Sequence, residues 1–308
     1  MTRSVLTRTG AAMACATALL LLSACGGSDS GTSGSAPAST AAALPVVKVD
    51  PAAAALLPEK YKTAGVLKAA TDGTYPPNEF TATDGTTLIG FDIDLANAIG
   101  TKLGVKVDIG NTKFDSILTG ISGGRYDWAL SSMTDNKKRQ ETVDFVDYFN
   151  AGTSILVKKG NPENISKLED LCGKNVAMES GTVQVKVAEG AKCAPGQKIN
   201  VTQLPDDAAA RLQVTTGRAV ADLNDFPVAA YSAKTQNDGK AFEVVGDQYE
   251  SAPYGVACAK GTKLDVAVQA ALKSLIADGT YDAILKKWDI TKGSLTTATI
   301  NGGSGSGS

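Results

Sequence analysis

The residues able to do chemistry are few and lack one common type: the 308-residue sequence contains no histidine. That excludes Ser/His and Cys/His nucleophilic pairs, His-ligated metals and imidazole proton relays. Arg139 closes a Lys137-Lys138-Arg139 run. Its guanidinium can grip a carboxylate through two parallel hydrogen bonds, which the neighbouring lysines cannot; the same run also reads as solvated helix charge. Asp225 stands just before Phe226-Pro227, where it suits either a ligand cation or a helix N-cap. Ser131, Ser132 and Thr134 cluster hydroxyls at a strand end, or simply make a turn. Asp72 precedes Gly73, which a turn alone would explain. Neither a CxxC pair nor a GxxxxGK[ST] phosphate loop occurs, so a thiol redox motif and a P-loop ATPase are both excluded.

The elements that must position these residues alternate. Val66–Thr71 reads as a strand, and a turn follows over Asp72–Pro77. Apolar residues Ile93, Ala96, Ile99 and Leu103 fall at helical spacing, closed by Gly104. Further strands are expected at 105–109 and 127–131, with a short helix at 114–121 between them. The pattern then restarts: a helix at 166–171 capped by Ser166 with Glu169, strands at 175–178, 199–203, 221–223 and 243–245, and helices at 183–189, 206–216 and 226–234. A strand at 256–259 and two helices around Gly279, within 263–288, end the body. Two α/β units of similar size imply parallel sheets covered by helices. Ligands in such folds sit at the carboxyl ends of strands and in the crevice between lobes.

Composition sets the compartment. Apolar residues are 43 %, enough for a sizeable core, and the net charge of −2 argues against nucleic-acid binding. Arg3 and Arg8 precede a twelve-residue apolar run, Ala11–Leu22. A membrane span needs about 20 such residues, so this one reads as a signal peptide over residues 1–24. Leu22-Ser23-Ala24-Cys25 resembles the lipobox of bacterial lipoproteins, which implies lipidation of Cys25. A Gly/Ser/Thr-rich stretch follows, and residues 25–59 are expected to be a flexible tether. Losing Arg3 and Arg8 moves the net charge to −4, so basic attraction to lipid is not the anchor. Residues 291–308, ending in Gly and Ser, read as a tail. An exported chain meets an oxidising compartment, where Cys172 and Cys193 are the natural disulfide pair and Cys258 reads as a buried core thiol.

Six segments in register carry a resemblance. Thr71-Asp72-Gly73-Thr74-Tyr75-Pro76-Pro77-Asn78-Glu79-Phe80, Gly90-Phe91-Asp92-Ile93-Asp94-Leu95, Ser131-Ser132-Met133-Thr134 with Arg139, Asn224-Asp225-Phe226-Pro227, Pro253-Tyr254-Gly255 and Asp278-Gly279-Thr280-Tyr281 occur in that order. Over residues 64–289 the chain resembles the family 3 solute-binding proteins of polar amino-acid ABC importers. The resemblance implies a periplasmic-binding-protein-like fold of type II: two α/β lobes, a ligand cleft between them, and two hinge strands. Lobe 1 would span 60–152 plus 255–290 and lobe 2 158–250, with hinges near 151–156 and 251–254.

The same resemblance assigns roles. Arg139 would hold the ligand carboxylate and Asp225 its ammonium. Ser131, Ser132 and Thr134 would line the first lobe's loop, and Thr182 and Val183 the second lobe's. Val183 stands where a second Thr is frequent. Tyr75 and Phe80 would stack on the ligand, and Asp72 would meet a polar or basic side chain. Glu79 and Trp128 read as structural. The implied partners are an amino acid, an ABC permease and, through a lipid anchor, the outer face of the cell membrane; no cofactor, metal or nucleic acid is implied, and the chain is expected to be a monomer. Two other readings use the same fold: a cyclohexadienyl-dehydratase-like enzyme, for which Glu79 or Glu179 would be the acid or base, and a sensory ligand-binding module.

Overall fold

The computed structural model describes residues 44–305. The signal peptide, Cys25 and the tether as far as residue 43 lie outside the described residues. In chain order the elements are α1 (Pro51–Leu56), α2 (Glu59–Ala64), β1 (Val66–Thr71), β2 (Thr74–Tyr75), β3 (Glu79–Thr81), β4 (Leu88–Ile89), α3 (Phe91–Leu103), β5 (Lys106–Asn111), α4 (Ile117–Ser122) and β6 (Trp128–Ala129). Then come α5 (Lys137–Gln140), β7 (Val143–Lys158), β8 (Asn175–Glu179), α6 (Gln184–Glu189), β9 (Asn200–Leu204), α7 (Asp207–Thr215) and β10 (Ala221–Asp225). The last are α8 (Phe226–Thr235), β11 (Phe242–Ala259), α9 (Leu264–Ala277) and α10 (Thr280–Lys287).

Eight strands form one sheet in the order β5-β1-β6-β11-β7-β10-β8-β9. β5, β1 and β6 run parallel, as do β10, β8 and β9. Between the two sets stand the long antiparallel strands β7 and β11. Their two ends serve different sets: Ala257 and Cys258 of β11 pair with β6, whereas Thr153–Val157 of β7 pair with β10. This is the two-lobe architecture, with the chain crossing twice. The pairing of β11 with β7 is irregular between Val245 and Gly255, where register shifts interrupt the ladder. Each parallel set is apolar on both faces, as helix-covered parallel strands must be. One set packs against Leu95, Ile99, Leu272 and Tyr281 on one side and Phe114, Ile117 and Ile121 on the other. The other set packs against Leu171 and Val187, and against Ala210 and Ala229.

Four expectations need correction. The strands placed at 243–245 and 256–259 are the two ends of one strand, β11; the intervening polar run Gly246–Ser251 hides its continuity. The tether does not extend to residue 59. The Asp50 carboxylate accepts from the amides of Ala52 (2.9 Å) and Ala53 (3.1 Å), and Pro51 supplies the first helical φ, so α1 forms. Ala53 and Leu57 are then buried in the first lobe's core. Residues 291–303 are not a loose tail either. Ile300 bridges Val146, Ser294 bridges Phe149, and the Asn301 amide donates to the Phe145 carbonyl at 3.0 Å. Backbone pairing along β7 needs no apolar side chains, which is why Gly and Ser there misread as solvated. Finally, the helix at 166–171 is a single 3₁₀ turn over Leu168–Leu171, with Lys167 rather than Ser166 at the N-cap and Asp170 rather than Glu169 as the acid of its capping box. The Asp170 carboxylate accepts from the Ser166 amide and hydroxyl, both at 2.8 Å.

Cys172 and Cys193 are bonded, with Cα atoms 5.6 Å apart, and Cys258 is a buried free thiol. No described helix is long and apolar enough to cross a membrane.

Candidate functional site

The loop after β6 carries the first group of predicted residues, and a buried carboxylate pair fixes it. Ser132 adopts a left-handed φ of 47°, a strained choice for serine that its surroundings impose. Its amide donates to Asp92 Oδ2 at 2.9 Å. Its hydroxyl donates to Glu79 Oε2 at 3.0 Å and accepts from Asn78 Nδ2 at 2.8 Å. The Tyr148 hydroxyl donates to the same Asp92 oxygen at 2.7 Å. Gly90 lets Asp92 reach the loop: its φ is +135°, and a Cβ there would collide with the Asn78 carbonyl. Burial raises both Glu79 and Asp92, Glu79 strongly; the charge of Asp92 pushes Glu79 up further, whereas hydrogen bonds from the Ser132 amide, Tyr148 and Glu79 hold Asp92 down.

Arg139 sits on α5, whose N-cap Asn136 accepts from the Arg139 amide at 2.9 Å. The side chain is buried rather than solvated. Nη1 donates to the Thr134 carbonyl at 2.8 Å, and Nη2 donates across the cleft to the Gly181 carbonyl at 3.0 Å. The guanidinium carbon lies 5.3 Å from the centre of the Phe114 ring. Burial lowers its pKa to about 10, so it stays cationic at neutral pH. Asp225 faces it from the other lobe, at the end of β10. Asp225 occupies the N-cap position of α8 but makes no capping bond; its Oδ1 accepts instead from Gln184 Nε2 at 2.8 Å. Burial raises its pKa to about 6, against the opposing pull of Arg139 and the Tyr254 hydroxyl.

Tyr75, Ser132, Thr134, Arg139, Thr182, Val183 and Asp225 thus converge on one enclosed space between the lobes. That space is about 10 Å³, the size of a single water, so admitting a ligand requires the lobes to separate. Phe114 and Gln184 complete the lining and were not among the sequence candidates. Phe114 sits in a helix-like apolar run that reads as core, and Gln184 is one of several polar residues opening α6; only the fold brings them here. Ser131 stands one layer behind, accepting from the Asp72 amide at 2.9 Å and facing Glu79. Phe80 is elsewhere. It packs edge-on to Trp288 at 5.9 Å and against Tyr231 at 6.3 Å. A larger cleft of about 800 Å³ lies on that side, over Phe149, Phe226, Tyr231 and Trp288. None of the predicted ligand residues lines it.

Asp72 lies at the other end of the site. Its Oδ2 accepts from the Phe114 amide at 3.0 Å, and burial raises its pKa. Across the cleft stands Glu179, the last residue of β8, which is 3 % exposed. Burial, with Asp72 as the next cause, raises Glu179 to about 9. Among the described residues no group of His, Cys, Asp or Glu is arranged to hold a metal ion.

Two lobes facing each other with a fixed cation on one and a fixed anion on the other define a hinged receptor for a small zwitterion. Residues 67–291 match the bacterial extracellular solute-binding proteins, family 3, and the chain belongs to that family. The arginine-binding protein ArgT of Corynebacterium glutamicum is 34 % identical over 253 residues, covering 80 % of this chain and 82 % of the relative. The L-cystine-binding protein TcyJ of Escherichia coli K12 is 33 % identical over 238 residues, covering 76 % and 87 %. An ancestral arginine-binding protein solved with arginine bound is 38 % identical, with a TM-score of 0.66, covering 73 % of this chain and 98 % of that one. All three are binding proteins.

Proposed function

We propose that this chain captures a polar amino acid from outside the cell by cleft closure and hands it to an ABC import permease. The observation that carries this reading is the placement of Arg139 and Asp225 on opposite lobes of one cleft, each buried and each oriented by fixed partners. Arg139 holds the ligand carboxylate, exchanging its bonds to the Thr134 and Gly181 carbonyls for two to the ligand. Asp225 and the Thr134 carbonyl receive the ammonium. The amides of the Gly181–Val183 loop face the carboxylate from the second lobe, so the Val183 side chain costs nothing there. Tyr75 and Phe114 cover the ligand's aliphatic part.

Closure is a rotation about the irregular middle of β11 and the adjoining part of β7, near 151–156 and 251–254, with 60–152 plus 255–290 moving against 158–250. A buried charge pair gains from being sealed from water, so the closed state forms around the zwitterion. The arginine-binding relatives favour a cationic substrate. The chain is exported by residues 1–24, held at the outer membrane face by lipid on Cys25, and acts as a monomer.

The experiment is calorimetric titration of residues 26–308 with the twenty amino acids, ornithine, citrulline and cystine, after unfolding and refolding to strip carried ligand. One chemical group is expected to bind, and Arg139→Ala is expected to remove the heat while leaving the melting transition in place. Binding of none of the panel sinks the reading. For the anchor, Cys25→Ala is expected to release the protein from washed membranes.

A further inference from the structure

The helix that carries Arg139 is held from outside by the C-terminal segment. α5 has four residues, a single turn, and a single turn is not stable on its own. Asn136 satisfies the Arg139 amide, but the first amide of the helix, that of Lys137, has no partner within the turn. It donates instead to the Gly305 carbonyl at 2.9 Å. Gln140, at the other end of the turn, donates from Nε2 to the Gly303 carbonyl at 2.9 Å and to Asp135 Oδ1 at 2.7 Å. The Gly303 amide donates to Asp135 Oδ2 at 2.8 Å. Asp135 is fully buried and follows Thr134, whose carbonyl accepts from Arg139 Nη1 at 2.8 Å. The segment is itself pinned in register. Asn301 Oδ1 accepts from the Phe145 amide at 2.8 Å, and its Nδ2 donates to Asp144 Oδ1 at 3.1 Å. Its left-handed φ of 53° falls where the chain leaves β7 for Asp135. Gly303 is buried, and a Cβ there would collide with the Asp135 carbonyl. Asp147 of β7 is buried as well; burial raises it to about 8, with the charge of Asp135 as the next cause and a hydrogen bond from the Gly302 backbone opposing. Taking the two glycines away leaves these facing acids short of donors, which costs free energy. The family match ends at residue 291, so this segment lies beyond it.

We propose that Asn301–Gly305 is a positioning strap for the ligand-binding arginine: by holding α5 and Asp135 on the first lobe, it fixes the Arg139 guanidinium in the cleft before a ligand arrives. For what Arg139 binds, this rests on the receptor reading; for what holds Arg139, it rests on the bonds above. The guanidinium has three supports: the Thr134 carbonyl, the face of Phe114, and the Gly181 carbonyl. The last belongs to the other lobe and parts when the cleft opens. The seat of α5 then decides where the fork points. A fork already in place loses little side-chain entropy when a carboxylate binds, whereas a wandering one loses more. None of the strap residues lines the ligand space. The strap therefore acts through α5 and not by touching the ligand.

The test compares wild type with Gly303→Ala and with a chain ending at Ile300. The first readout is the heteronuclear NOE of the Arg139 Nε–H group in ligand-free protein, its signal assigned by its absence from Arg139→Lys. It is expected to match the rigid backbone in wild type and to fall clearly in both variants, a change that a loss of overall stability would not produce in folded protein. The second readout is calorimetry with the amino-acid panel, at a temperature where circular dichroism shows each variant folded. Affinity is expected to drop about tenfold, by the same factor for every amino acid that binds, because each carries the carboxylate. If the shortened chain does not fold, Gly303→Ala and Gln140→Ala carry the test. An Arg139 signal as rigid as that of wild type in the folded variants, or affinities within twofold of wild type, overturns the strap while the receptor reading stands. A wild-type protein that binds nothing on the panel overturns the receptor reading, and the Arg139 signal of the ligand-free protein still decides the strap.

Discussion

The Arg139–Asp225 end of the cleft and the Asp72–Glu179 end are built from the same kind of loop at strand ends, yet they solve opposite problems. The first end is balanced. A guanidinium and a carboxylate face each other, and each is tied to fixed partners: Asn136, Thr134 and Gly181 for Arg139, Gln184 for Asp225. The second end is acidic: Glu179 and Asp72 are buried together, and burial raises both. Under the proposed function, the balanced pair recognises the part of a ligand that never varies, and the acidic end is satisfied only by particular ligands, because specificity follows from what is left unpaired when the wrong one enters.

The largest expected effect lies at the balanced end. Arg139→Lys removes the planar fork and is expected to cost about 2–5 kcal/mol of binding, with equal losses for every ligand in a calorimetric series. Unequal losses would show that Arg139 also reads the side chain, and the contrast between the two ends would fail. Asp225→Asn is expected to lose less, about 1.5–3 kcal/mol, again uniformly, because Gln184 can still orient the amide.

Glu179→Gln sharpens the contrast through stability rather than binding. The folded chain keeps a proton on Glu179 up to a pH of about 9, whereas the unfolded chain releases it near the ordinary value of about 4.3. The folded state therefore loses ground as pH rises between those values. The melting temperature of the ligand-free protein is expected to fall from pH 5 to pH 9, and less steeply in Glu179→Gln. Parallel curves for the two proteins would mean that Glu179 is not held protonated. The smallest effect is expected for Phe80→Leu. Phe80 packs on Tyr231 and Trp288, away from both ends, so ligand affinity should stay within about twofold of wild type. A larger loss would place the ligand on the other side of β3.

Much of this was legible from residue order. Gly104 closes α3 with a φ of +74°, as the sequence position suggests, and the spacing of Ile93, Ala96, Ile99 and Leu103 marks its buried face. The motif Gly90-Phe91-Asp92 is readable as family signature, but its purpose is not. Only the structure shows that glycine is needed for Asp92 to reach the Ser132 amide. For Asp225 the sequence allows either a cap or a ligand residue; in the structure it makes no capping bond and accepts from Gln184. Gln184 and Phe114 gave no signal, because a glutamine opening a helix and a phenylalanine in an apolar run are ordinary.

The sequence by itself determined which groups exist and where many elements begin and end: no imidazole, one arginine able to fork a carboxylate beside two lysines, the helix end at Gly104, and strands whose β-branched and apolar runs require burial. These are local properties, set within a few residues by sterics and hydrogen bonding. The tertiary structure alone decided the joining of two apparent strands into β11, the pairing of 294–301 along β7, and the meeting of Asp72 with Glu179 across 107 positions of chain. Each of those depends on long-range backbone pairing or on desolvation by a distant segment. Neither leaves a mark on composition or periodicity, because both act through space and not along the chain.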